Sequence, residues 1–191
     1  MNVKKIAIFA SGSGTNAENI IIYFKDRAYA EVVLVLSNKP EAPVLQRAEK
    51  HNVASVVFDR TAFYETDEII ELLRANDIHF VVLAGFLWLV PQNILRNYPD
   101  RIINIHPALL PKYGGKGMYG RRVHEAVIEN GEKESGISIH YVNEEYDKGD
   151  ILFQATCRVL SSDTPESLAA RVHELEYKHF PEVIDRLILE N

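Results

Sequence analysis

The stretch that decides the fold is "AIFASGSGTNAENII", residues 7–21. It opens as an apolar run, breaks on Gly12-Ser13-Gly14-Thr15-Asn16, and continues as a helical pattern. A buried strand that passes through a glycine turn into a helix is the repeating unit of a parallel α/β sheet. The alternation continues along the chain. Strands are expected at Lys4–Ala10, Glu31–Ser37, Ala54–Phe58, Phe80–Leu83 and Ile102–Ile105, and helices at Ala17–Arg27, Pro43–Asn52, Glu65–Ala75 and Pro91–Asn97. Runs such as "VVLVL" (32–36) and "FVVLA" (80–84) are apolar throughout, as strands covered on both faces must be. The predicted fold is α/β: a doubly wound, mostly parallel, Rossmann-like sheet with right-handed crossovers.

After residue 106 the pattern changes to a glycine-rich loop (107–120) and a helix (121–130). Two strand-like runs, "SGISIHYV" (135–142) and "DILFQATCRVL" (150–160), are expected to pair antiparallel. A final long helix starts at Thr164, with Pro165 in its first turn and Leu168, Val172, Leu175, Val183 and Leu187 at helical spacing. No repeat, low-complexity tract or linker interrupts the 191 residues, which suit one domain over 1–191. A net charge of −6 without a basic tail argues against a broad nucleic-acid footprint. The single cysteine, Cys157, leaves no internal disulfide framework and fits a reducing compartment. The apolar run behind Met1-Asn2-Val3-Lys4-Lys5 is too short for a signal peptide, and no membrane-spanning run follows. A cytoplasmic location is expected.

The glycine turn admits three readings. Gly12-x-Gly14-x-x-Ala17 matches the relaxed dinucleotide fingerprint, in which glycines let the backbone approach a ligand at a helix N-terminus. A dinucleotide also needs a carboxylate about 20 positions on, yet the second strand ends in Ser37-Asn38-Lys39. A tight turn holding no ligand is the second reading. The third, a mononucleotide or sugar phosphate, is favoured by Thr15 and Asn16, whose side chains can reach an anion or cap the helix. There is no Walker loop to suggest ATP.

The next cluster is "RIINIHPALLPKYGG" (101–115). Asn104 and His106 stand two residues apart on a strand, so they share a face at the carboxyl end of the sheet, where open α/β sheets bind ligands. An amide there can donate to a developing oxyanion and an imidazole can move a proton. A buried, hydrogen-bonded structural histidine is the alternative. In "IHYVNEEYDKGDI" (139–151), Asp147-Lys148-Gly149-Asp150 reads locally as a solvated hairpin turn. His106, His140 and Asp147 lack zinc-type spacing and Cys157 is solitary, so no metal is expected.

"SGSGTN", "VVLAGFLWLV", "NIHPALLPKY", "HYVNEEYDKGDI" and "ARVHELEYKHFP" resemble, in order and spacing, the phosphoribosylglycinamide formyltransferases, folate-dependent enzymes of purine synthesis. The resemblance covers nearly the whole chain. It implies a phosphate-binding half to about residue 100 and a folate-binding, catalytic half over 101–191. It implies formyl transfer from 10-formyltetrahydrofolate, as co-substrate, to the glycinamide amine of 5'-phosphoribosylglycinamide. Partners are then small molecules, with no nucleic acid, membrane or metal. Asn104, His106 and Asp147 match the catalytic trio; Gly14, Thr15 and Asn16 match the phosphate loop. His173 and Glu176 match a pair near the ribose and glycinamide end. Leu87, Trp88, Leu89 and Val90 match a strip lining the folate pocket, which Asn104 also touches. Asn143, Glu144, Glu145, Tyr146 and Asp147 match a loop closing over the pterin. Trp88 stands where the family usually has an arginine, Tyr64-Glu65-Thr66-Asp67 replaces a common Ser-Arg-Glu, and His173 replaces a frequent glutamine. On this reading protonated His106 serves as donor, its pKa raised by Asp147. A related deformylase, a formyltransferase for another amine, and a non-enzymatic nucleotide-binding module are the alternatives.

Overall fold

In the computed structural model, which describes residues 3–190, the chain forms two compact units, Met1–Ile103 and Asn104–Asn191. The first contains β1 (Lys4–Phe9), α1 (Thr15–Phe24), β2 (Ala30–Ser37), α2 (Pro43–Lys50) and β3 (Ala54–Val57). It continues with α3 (Arg60–Tyr64), α4 (Glu68–Ala75), β4 (Ile78–Leu83) and α5 (Gln92–Asn97). Strand β5 (Ile102–His106) crosses the boundary. The second unit adds α6 (Arg121–Glu129), β6 (Glu134–Tyr141), β7 (Ile151–Arg158) and α7 (Pro165–Glu190). The strand order of the sheet is β3-β2-β1-β4-β5-β6-β7. Strand β1 pairs in parallel with β2 and β4, β2 does so with β3, and β6 pairs antiparallel with β7. This is the doubly wound, mostly parallel sheet that the apolar runs predict, with the expected antiparallel addition and final long helix.

One helix, α3, lies outside those expected. The pattern over Glu65–Ala75 is preceded by α3, because the Asp59 side chain accepts the Ala62 N–H at 2.9 Å and starts a separate turn. The Thr66 hydroxyl donates to the Ala62 carbonyl at 3.3 Å just past its end, and α4 begins only at Glu68. Helix α7 starts as expected. The Ser167 N–H donates to Thr164 Oγ1 at 3.2 Å while Ser167 Oγ accepts from the Thr164 N–H at 3.0 Å, a reciprocal cap ahead of Pro165. Pro181 lies inside this helix, which runs on to Glu190.

Each unit has its own apolar centre. In the first, Ile6, Ala7 and Ile8 are fully buried, and Phe9 meets Phe58, Phe63 and Phe86 with ring centroids 5.4–6.3 Å apart. Burying the rings of Phe9, Phe58 and Phe63 stabilises the fold by about 1.5–3 kcal/mol each. In the second, Val123 and Val127 of α6, Ile137 and Ile139 of β6, and Leu168, Val172 and Phe180 of α7 are buried. Among the described residues no helix is long and apolar enough to cross a membrane.

Candidate active site

The loop that leaves β1 is held from several directions within the first unit. The Ser11 N–H donates to the Gly85 carbonyl at 3.0 Å, and its hydroxyl donates to Asn38 Oδ1 at 2.6 Å while accepting from the Leu87 N–H at 3.1 Å. Asn38, where a dinucleotide would want a carboxylate, is therefore engaged by Ser11. The Val44 N–H donates to the Gly12 carbonyl at 3.2 Å, and Arg47 Nε donates to the Ser13 carbonyl at 2.8 Å. Arg47 also pairs with Glu18, as do Lys50 and His51 at 3.0 Å each. His51 foremost, then Lys50 and Arg47, hold the Glu18 carboxyl down at about 2. Thr15 and Asn16 open α1, whose N-cap is Gly14 with no side-chain cap. The first-turn N–H groups and positive dipole end of this helix suit an anion.

Gly14 has a reason the sequence does not reveal. Its φ is 72°, and a Cβ there would overlap the side chain of Val44. The glycine is required by packing against α2 before any ligand is considered. Gly14→Ala should cost about 2–4 kcal/mol, adding left-handed strain to overpacking. Urea unfolding measures this; a midpoint matching wild type would show that α2 yields freely.

The strip after β4 carries the next expected residues. Trp88 lies 5.7–6.0 Å from the rings of Phe58, Phe63 and Tyr64, and the Tyr64 hydroxyl donates to the Leu89 carbonyl at 3.0 Å. Leu87, Trp88 and Leu89 are half-buried and Val90 is buried. The guanidinium of Arg60 lies over Tyr64 and Trp88, 4.9 and 5.2 Å from their centroids.

In the second unit β5 delivers Asn104 and His106 to one face, and the turn after β6 brings Asp147 to them. His106 is 4% exposed and its Nε2–H donates to the Tyr113 carbonyl at 2.7 Å. A carbonyl only accepts, so in the neutral ring Nδ1 is the bare nitrogen. Nδ1 lies 3.5 Å from Asp147 Oδ2, which accepts the Gly115 N–H at 2.8 Å. Asn104 Nδ2 donates to His140 Nε2 at 3.1 Å and makes a longer contact, 3.4 Å, with Asp147 Oδ1. His140, 2% exposed, is fixed from behind by its own Nδ1–H donating to the Tyr141 carbonyl at 2.7 Å. Tyr113 and Asp147, which orient the imidazole, both have φ of 57°. A left-handed tyrosine is strained, and such strain gathers at functional sites. Gly149 lets the turn close, since a Cβ there would collide with the Tyr141 carbonyl oxygen.

Two expectations are corrected here. Asp147 is no solvated turn residue: its side chain is 11% exposed and turned to the two imidazoles. Nor is the His106 pKa raised. Burial pushes it below the ordinary histidine value, and this outweighs the opposing pull of Asp147 and the Tyr113 carbonyl. His106 therefore rests neutral at neutral pH. Burial pushes Asp147 upward, but its surroundings, His140, His106 and the Gly115 N–H, outweigh it and keep the carboxyl low. The cluster is a neutral imidazole with one bare nitrogen facing an ionised carboxylate, beside a carboxamide.

The model of the Formyl transferase family matches residues 4–184. The chain belongs to that family. It is 42% identical to phosphoribosylglycinamide formyltransferase, chloroplastic, of Arabidopsis thaliana, over 98% of this chain but 66% of that protein. It is 37% identical to the Bacillus subtilis (strain 168) phosphoribosylglycinamide formyltransferase, over 97% of this chain and 95% of the relative. The crystal structure of the Bacillus halodurans phosphoribosylglycinamide formyltransferase superposes with a TM-score of 0.87 at 37% identity, covering 97% of this chain and 95% of that one. The chain thus spans slightly under two thirds of the plant relative and nearly all of the bacterial ones.

In this formyltransferase the sequence-predicted residues separate clearly. Asn104, His106 and Asp147 form one cluster. His173 and Glu176 meet on α7, with His173 Nδ1 2.6 Å from Glu176 Oε2. Glu176 is 4% exposed and acts electrostatically on His106. The Glu176 hydrogen bond raises the His173 pKa against the opposing effect of burial. Asn143, Glu144 and Glu145 lie on the exposed side of the turn, where Asn143 Oδ1 accepts the Glu145 N–H at 3.0 Å. Tyr146 is half-buried, and Asp147 alone of this stretch reaches the imidazoles. Among the described residues no group of three or more His, Cys, Asp or Glu is placed to hold a metal ion. Sequence reasoning missed Tyr113, Gly115, Arg47 and the role of His140. Only His140 left a trace in side-chain pattern, as a polar residue inside an apolar strand.

Proposed function

We propose that this formyltransferase moves the formyl group of 10-formyltetrahydrofolate to the glycinamide amine of 5'-phosphoribosylglycinamide, a step of purine synthesis in the cytoplasm. The observation that supports it most is the Asn104–His106–Asp147 cluster with a bare, buried Nδ1 beside a carboxylate. Gly14, Thr15 and Asn16 hold the phosphate, and His173 and Glu176 hold the ribose and glycinamide end. Leu87, Trp88, Leu89 and Val90 line the folate side, and the loop Asn143–Asp147 covers the pterin.

The amine attacks the formyl carbon and gives a tetrahedral oxyanion. Asn104 exchanges its long contact to Asp147 for that oxygen and donates to it through Nδ2. His106 Nδ1 takes the proton shed by the attacking nitrogen, and Asp147 stabilises the imidazolium so formed. The imidazolium returns that proton to N10 of the folate as the carbon–nitrogen bond breaks. Binding at the phosphate end orients the amine for attack.

An absorbance assay of 10-formyltetrahydrofolate with and without glycinamide ribonucleotide tests the proposal. Folate product should form only with the ribonucleotide, alongside the formylated acceptor. Product without acceptor would make this a deformylase, and formylation of another amine alone would change the substrate. Ribonucleotide binding without turnover would leave a nucleotide-binding module.

A further inference from the structure

Two successive carbonyls of the glycine loop are turned toward helix α2. The Gly12 carbonyl accepts the Val44 N–H at 3.2 Å, a first-turn donor that α2 cannot pair within itself. The Ser13 carbonyl accepts from Arg47 Nε at 2.8 Å. Gly14 then lies so close that a Cβ would overlap Val44. Three consecutive residues of the loop are therefore backed onto α2. Both peptides are trans, and in a trans peptide the carbonyl and the following N–H point opposite ways. Turning the Gly12 and Ser13 carbonyls to α2 turns the Ser13 and Gly14 N–H groups away from it. Among the described residues neither N–H finds an acceptor. Together with the open first turn of α1 they form a run of backbone donors of the kind that takes an anion.

Val44 supplies its part through the backbone, whereas Arg47 supplies its part through a side chain. That side chain is fixed at two points. Nε holds the Ser13 carbonyl, and Nη1 pairs with Glu18 of α1, the helix the loop enters. Glu18 is in turn held by Lys50 and His51 at 3.0 Å each. A planar guanidinium can span two acceptors in fixed directions, which a lysine ammonium does not reproduce. Without Arg47 nothing on α2 ties down the Ser13 carbonyl, and its oxygen is free to swing toward the anion it should face away from.

We propose that Arg47 is a positioning residue for the phosphate of the substrate. By holding the Ser13 carbonyl against α2 it aims the Gly14 N–H, and the run of donors that follows, at the phosphate oxygens. The inference rests on the phosphate-loop reading above. Arg47 acts through the Ser13–Gly14 peptide, so its geometry matters and not its charge alone. Lys50 separates the two effects, because it gives Glu18 an equal charge but bonds no carbonyl of the loop.

The test compares Arg47→Met, Arg47→Lys and Lys50→Met with wild type by steady-state kinetics, and by amide NMR of Gly14 during titration with inorganic phosphate. Arg47→Met should raise KM for glycinamide ribonucleotide about ten-fold, with kcat at saturation and KM for 10-formyltetrahydrofolate within about two-fold of wild type. The Gly14 N–H should move downfield with phosphate in wild type and far less in Arg47→Met. Lys50→Met should match wild type in both measurements. Arg47→Lys keeps the charge without the fork and should retain most of the loss, so it carries the test if the methionine variant does not fold. An unchanged KM in Arg47→Met, full recovery in Arg47→Lys, an equal loss in Lys50→Met, or an equal rise in the folate KM would overturn the role of Arg47. Wild type that shows the phosphate shift but does not turn over glycinamide ribonucleotide would end the substrate reading and leave Arg47 standing on the shift. No phosphate shift in wild type would overturn the phosphate loop and this inference together.

Discussion

Asn104→Ala is expected to lower kcat by about 10²–10³ while leaving affinity for glycinamide ribonucleotide within a few-fold. The amide meets full negative charge only after the formyl carbon has been attacked, so its loss weighs on the transition state. In the resting site Asn104 Nδ2 has a sound hydrogen bond to His140 at 3.1 Å and a poor one to Asp147 at 3.4 Å. The poor one is the contact given up to the oxyanion, at little cost. Single-turnover rates and calorimetry on the same folded variant separate the two effects. If turnover falls only as far as folate occupancy falls, Asn104 is a binding residue and the oxyanion role fails.

Asp147→Asn should be comparably severe, lowering kcat by roughly 10²–10⁴ and moving the acid limb of the rate profile. The sign follows from the site. The neutral His106 ring is the base, so the rate rises with pH through the His106 pKa and then levels. Asp147 pulls that pKa upward, although burial prevails. Removing the charge lets the pKa fall further, and the limb shifts to lower pH. The asparagine keeps an oxygen for the Gly115 N–H, so the loop retains that tie. A variant with an unmoved limb and only a weaker hold on folate would mean that the carboxylate works by fixing the loop.

The parallel sheet was legible because apolar runs such as 32–36 and 80–84 have one common use in a chain of alternating strands and helices. Asn104 and His106 were legible for a similar reason: a strand puts alternate residues on one face. Asp147 was not, since Asp-Lys-Gly-Asp has the chemistry of a solvated turn. Its inward aim comes from a left-handed backbone and from the approach of Gly149 to Tyr141, both consequences of tertiary packing. The His106 pKa was misjudged because sequence displays the carboxylate that raises it and hides the burial that lowers it. Tyr113 and Gly115 act through their backbones, so side-chain identity carried no sign of either. Gly14 was legible as a special glycine, but the Val44 side chain behind it was not.

The mechanism stands on one claim: His106 rests as a neutral ring with its hydrogen on Nε2 and Nδ1 bare. Nitrogen-15 NMR of the His106 ring, titrated from pH 5 to 9 in the ligand-free protein, measures both the protonation midpoint and the tautomer. The account predicts a midpoint below the ordinary histidine value of about 6.5 and, above it, the Nε2–H tautomer donating to Tyr113. An imidazolium persisting above neutral pH, or a neutral ring with its hydrogen on Nδ1, would contradict it.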